Sequence, residues 1–104
     1  MNTATIVGRL VKKVEIETLK NGKKIARVVL AVPRTYKNEE GVYDTDFIQC
    51  IVKDNMAITT SEYCRKGDAI GIRGAIETFY NDDNIQCFRI VADKVTFISS
   101  GGAN

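Results

Sequence analysis

Phe47–Gly67 reads FIQCIVKDNMAITTSEYCRKG, and within it the apolar pattern changes period once. Phe47 to Val52 suits a strand. From Asp54 to Lys66 the spacing becomes helical, with Ala57, Thr60, Ser61 and Cys64 on one face. Gly67, following Arg65-Lys66, is a helix stop preceded by cations that match the dipole. The stripe is narrow and made of small residues, which suits close packing against a sheet end and gives the helix a structural role.

Upstream, Thr3 to Glu17 is rich in β-branched residues and reads as one long first strand. Asn21-Gly22 tolerates positive φ and signals a hairpin, after which Lys24 to Val32 alternates. Ala26, Val28, Leu30 and Val32 face a core, leaving Arg27, Val29 and Ala31 on the other side. Pro33 has no amide hydrogen, so ladder pairing is expected to stop there and a polar loop to run to about Asp46. Downstream, Asp68 to Phe79 and Gln86 to Phe97 are two further strands joined by Tyr80-Asn81-Asp82-Asp83-Asn84.

Three strands, a helix and two strands predict an all-β fold: a five-stranded OB barrel with one helix between the third and fourth strands. The 104 residues accommodate one domain, placed at 1–98, with 99–104 expected to be a flexible end. No apolar run approaches a membrane span, and the start lacks a signal-peptide pattern, so the expectation is a soluble cytoplasmic protein. The cysteines Cys50, Cys64 and Cys87 lie in apolar or amphipathic segments without framework spacing, which favours reduced, buried thiols over one disulfide.

The net charge of +2 conceals an asymmetry: residues 1 to 37 hold nine Lys/Arg and two Asp/Glu, whereas residues 38 to 104 hold six and eleven. One cationic face is the footprint of a polyanion binder, although solvated strand surfaces would give the same count. Catalysis finds little support. With no histidine, no GxxxxGK cradle and no GxSxG elbow, neither catalytic residues nor a metal site is expected. The acidic pairs Glu39-Glu40 and Asp82-Asp83 read as solvated turn residues.

Interleaved aromatics and cations point instead to single-stranded nucleic acid, because rings stack on unpaired bases while cations hold phosphates. Arg27 lies on the outward face of the second strand, and Arg34, Tyr36 and Lys37 open the loop after it. Phe47 begins the third strand, and Phe79-Tyr80 sits at the last hairpin. Tyr36, between Arg34 and Lys37, is the aromatic least suited to a core; Phe47 and Tyr43 have packing readings of equal weight, and Phe88 and Phe97 are assigned to packing.

Nearly the whole chain, Asn2 to about Ile98, resembles the bacterial single-stranded DNA-binding protein family. Ile6-Val7-Gly8-Arg9-Leu10, Leu30-Ala31-Val32-Pro33-Arg34-Thr35-Tyr36, Asp46-Phe47-Ile48, Arg65-Lys66-Gly67-Asp68 and Val91-Ala92-Asp93-Lys94-Val95-Thr96-Phe97 carry the likeness through their order and spacing. The resemblance implies a homo-oligomer, a tetramer with a dimer as the alternative, that wraps single-stranded DNA and needs no cofactor. It implies stacking by Tyr36, Phe47 and Phe79 or Tyr80, with Arg34 and Lys37 on phosphates. Lys53 stands where the family often carries another aromatic and would hold phosphate instead; Arg89 replaces a frequent acidic residue. The family's disordered linker and acidic tail are not found after Ser99, so tail-mediated protein partners are not expected. That shortness keeps a rival open, an OB-fold adaptor of the primosome type in replication restart, which a dimeric mass would favour.

Overall fold

A computed structural model describes residues 1–100. Its elements are β1 (Ala4–Leu10), β2 (Glu15–Thr18), β3 (Lys24–Lys37), β4 (Tyr43–Lys53), α1 (Asp54–Tyr63), β5 (Ala69–Tyr80) and β6 (Gln86–Ser99). The sheet runs β1-β5-β6-β4-β3-β2, and pairing of β1 with β3 at Arg9↔Ala31 and Leu10↔Leu30 closes it into a barrel. This is the expected all-β barrel with its helix between β4 and β5.

The alternation in β3 arises from the barrel itself. Ala26, Val28 and Leu30 are almost fully buried, and their register partners Val52, Cys50 and Ile48 on β4 point the same way. Ile70 and Ile72 of β5 complete the centre. Burial of a large aliphatic side chain contributes about 1.5–3 kcal/mol, so this small set dominates the stability of so short a chain. Asn21-Gly22 forms the turn predicted for it, with Gly22 at φ 84° and the Asn21 Oδ1 accepting from the Lys23 amide at 2.9 Å.

Several boundaries differ from the sequence reading. The first strand is two elements: Lys12-Lys13 bend outward and Val14 turns into the core, so β1 pairs with β5 while β2 pairs with β3. Pro33 does not end its strand. Beyond Ala31, β3 pairs with β4 alone, an edge segment that tolerates a missing amide, and the irregularity is absorbed as a register shift between Pro33 and Lys37. The expected loop is therefore a projecting hairpin.

The helix stops at Tyr63, short of Lys66, because the chain turns extended at Cys64. Its last turn holds no base; Asp68 closes the following turn instead, accepting from the Arg65 amide at 2.9 Å. The Gly67 amide donates to the Leu10 carbonyl at 2.8 Å, which ties this turn to β1. Ser99 lies in β6, and residues 101–104 of the expected flexible end fall outside the described residues.

Candidate nucleic-acid interface

Two hairpins, β3–β4 and β5–β6, carry most of the candidate residues, and the same turn closes both. Asn38-Glu39-Glu40-Gly41-Val42 and Asn81-Asp82-Asp83-Asn84-Ile85 share one pattern. The Asn38 Oδ1 accepts from the Glu40 and Val42 amides at 2.9 and 3.0 Å; the Asn81 Oδ1 accepts from those of Asp83 and Ile85, both at 2.9 Å. The fourth position has positive φ in each, 80° at Gly41 and 60° at Asn84. These bonds order both turns, and the acidic pairs at their tips face solvent, as the sequence suggested.

Exposure separates the aromatics. Tyr36 is 63% exposed, Phe47 66% and Tyr80 67%, so three of the four aromatic candidates present their faces to solvent. A core role for Phe47 is thereby removed. Phe79 is half-buried beneath the guanidinium of Arg89, whose carbon stands 4.7 Å from the ring centroid. Of the Phe79-Tyr80 pair, Tyr80 is the ring left open.

The cations fall into two groups. Arg34 is engaged: its Nε and Nη2 donate to the two carboxylate oxygens of Asp46 at 3.0 Å each, and Nη1 stands 3.8 Å from Asp44. The hydrogen bond to Asp46 raises the Arg34 pKa further, and the same bond holds the Asp46 carboxyl below its ordinary 3.8. Arg27 pairs with Glu17 at 3.0 Å, both exposed. Lys37 reaches over the Tyr43 ring, with Nζ 5.7 Å from the centroid, so Tyr43 braces a cation as well as the hairpin. Lys53, immediately before α1, lines a recess of about 270 Å³ with Lys23 of the β2–β3 turn and Lys24 at the start of β3, beside the single acidic residue Asp54. That cluster is a basic patch built from separate stretches of chain.

Sequence reasoning missed Phe88. Assigned to packing, it is 68% exposed, and Phe97, assigned likewise, is 52% exposed. Phe88 pairs in register with Thr78 on the projecting part of β5–β6, beyond the closed barrel wall, so it has no core to enter. It lines a cleft of about 580 Å³ together with Phe47, Arg89 and apolar residues of β1, β4 and β6. No local signal distinguishes a strand aromatic inside a barrel from one on a projecting ribbon; only the register does.

Cys50 and Cys64 are buried and free, whereas Cys87 is half-buried, contrary to the expectation for all three. Burial pushes the Cys50 thiol up to about 11 and raises that of Cys64. Among the described residues no group of acidic, Cys or His side chains is arranged to hold a metal ion. No helix among them is long and apolar enough to cross a membrane.

Comparison with known proteins adds four findings. The model of the single-strand binding protein family matches residues 1–98. "Single-stranded DNA-binding protein B" of Bacillus subtilis is 33% identical over 93% of this chain and 89% of its own length. "Single-stranded DNA-binding protein 3" of Listeria innocua is 35% identical, over 96% of this chain and 65% of its own length. Among solved structures, a chain described as "Plasmodium falciparum SSB complex with ssDNA" superposes with a TM-score of 0.81, covering 95% of this chain and 96% of its own at 24% identity, which establishes the shared fold.

Proposed function

Because the chain belongs to the single-strand binding protein family, we propose that it coats single-stranded DNA with little base preference, protecting it during replication, recombination, repair or DNA uptake. The observation that carries this reading is the exposure of Tyr36, Phe47 and Tyr80, three rings left open to solvent on the β3–β4 and β5–β6 hairpins. Each stacked base contributes about 1–3 kcal/mol whatever its identity, because every base has a π-face. Lys37 and Lys53 supply the salt-dependent attraction to phosphate, and Arg27 and Arg34 join them when they exchange Glu17 and Asp46 for phosphate oxygens. Binding is electrostatic and stacking in kind, so the reading assigns the chain no catalytic step. It acts in the cytoplasm on exposed strands of the nucleoid, as a homotetramer.

Titration of the protein with labelled oligo(dT) of graded length, read alongside its mass in solution, tests this. Tight binding that strengthens with length, by a tetramer, supports the reading. A dimer would favour the adaptor alternative, and failure to bind any oligo(dT) at low salt would refute the proposal.

A further inference from the structure

β4 and β6 run parallel and pair only at Cys50↔Ile90 and Ile51↔Val91. Before those residues the strands splay, and the cleft of about 580 Å³ opens between them. Strand alternation turns Ile48 and Ile90 toward the barrel and Phe47, Gln49 and Arg89 outward, while Phe88 lies before the first β4–β6 pair, outside the closed wall, and is exposed. All of them line the same cleft, over a floor that includes Ala4 and Ile6 of β1. The cleft is thus a window between the two strands, bordered by an exposed phenylalanine from each, and its volume falls within the roughly 300–1,000 Å³ of small-molecule sites.

From this geometry we infer that the window takes one extruded base of the bound strand, held between Phe47 and Phe88 as two walls of a single pocket. The inference rests on the DNA-binding reading above and adds a site to it. A nucleobase is the occupant whose chemistry matches: flat faces for the two rings, an apolar floor for the heterocycle, and polar edges for the donors at the mouth. Gln49 and Arg89 supply those donors. Arg89 is under-used in the free protein, since its enclosed Nε–H has no acceptor and its ion-pair partner Glu77 stands 4.0 Å away. The window also joins the outer face that carries Phe47, so a base enters without the backbone leaving its path.

The chain contains no tryptophan, so Phe88→Trp gives a protein with a single indole reporter inside the pocket. Oligo(dT) is added while polarisation of a labelled strand reports binding independently. Indole emission is expected to be quenched in proportion to the strand bound, and Phe88→Ala should weaken binding about 5- to 150-fold, the equivalent of one stacked base. A cycle of Phe47→Ala, Phe88→Ala and the double variant should show a combined loss clearly smaller than the product of the two, because both rings hold the same base. Normal polarisation with unchanged indole emission would overturn the pocket and leave the DNA-binding reading standing. Multiplicative losses, or an altered oligomeric mass without quenching, would overturn it as well. Absence of any polarisation change with the unmodified protein would remove both.

Discussion

Asp46→Asn keeps the shape of the side chain and removes the charge that holds Arg34. In the free protein that guanidinium spends two donors on Asp46 at 3.0 Å each, leaving the more distant Asp44 at 3.8 Å as its remaining acidic neighbour. Neutralising Asp46 therefore frees one cation for phosphate on the hairpin that carries Tyr36. For single strands, one more neutralised phosphate steepens the slope of log K against log salt by about 0.7. Between 50 and 200 mM salt this adds about 0.4 log units, or roughly a 2.6-fold greater loss of affinity, together with tighter binding at the low-salt end. Both side chains are exposed, so the fold itself should change little. The assay is polarisation of labelled oligo(dT) across a salt series, with Arg34→Ala as a second background. An unchanged slope would refute the release argument, and so would a gain that persists in full without Arg34, because that gain would come from charge removal alone. Since Arg34 holds the Asp46 carboxyl below its ordinary 3.8, the contribution of the pair is present above that pH and lost as the pH falls through the lowered value. Affinity should accordingly show no Asp46 titration between about pH 5 and 8.

Tyr36→Ala should cost about 1–3 kcal/mol of oligo(dT) affinity without altering the denaturation midpoint; equal affinity would remove Tyr36 from the interface. Gly74→Ala should destabilise the fold by about 1–3 kcal/mol or more, because an added Cβ would strike the Val91 carbonyl where β5 and β6 shift register. A urea midpoint equal to that of the parent would contradict that close approach. Thiol labelling at pH 8 should modify half-buried Cys87 first and leave Cys50, whose thiol is pushed up to about 11, protected until the chain unfolds. Raising the pH from the ordinary thiol value of 9.0 towards 11 should lower stability, because the unfolded chain loses the Cys50 proton before the native one does. Three thiols reacting at one rate in the native protein would refute the burial assignment.

Much of the barrel was legible because its determinants are local. The alternation of Ala26, Val28 and Leu30, the Asn21-Gly22 turn, and the burial of Ala57 and Thr60 on one helix face each depend on a few neighbouring residues, and each holds in the structure. What escaped depends on partners far along the chain. Whether Pro33 ends a strand is decided by which strands flank it, and β1 leaves that stretch to β4 alone. Whether Lys12-Lys13 continue a strand is decided by the need of β1 and β2 to pair with different neighbours.

The candidate interface divides along the same line. Tyr36 and Tyr80 stand at hairpins signalled by turn residues, so their exposure was readable. Phe88 could be placed only by the Thr78↔Phe88 register on the projecting ribbon. The engagement of Arg34 was equally hidden, since Asp46 lies twelve residues away and faces it only once Pro33 pairs with Thr45.

The central claim is that exposed rings, and not charge alone, select unpaired strands. Competition between oligo(dT) and a duplex of equal length, in one buffer at fixed salt, tests it most directly. Three rings that a duplex cannot reach, at about 1 kcal/mol or more each, predict a preference for the single strand of at least roughly 100-fold. Equal affinity for the two would contradict the account.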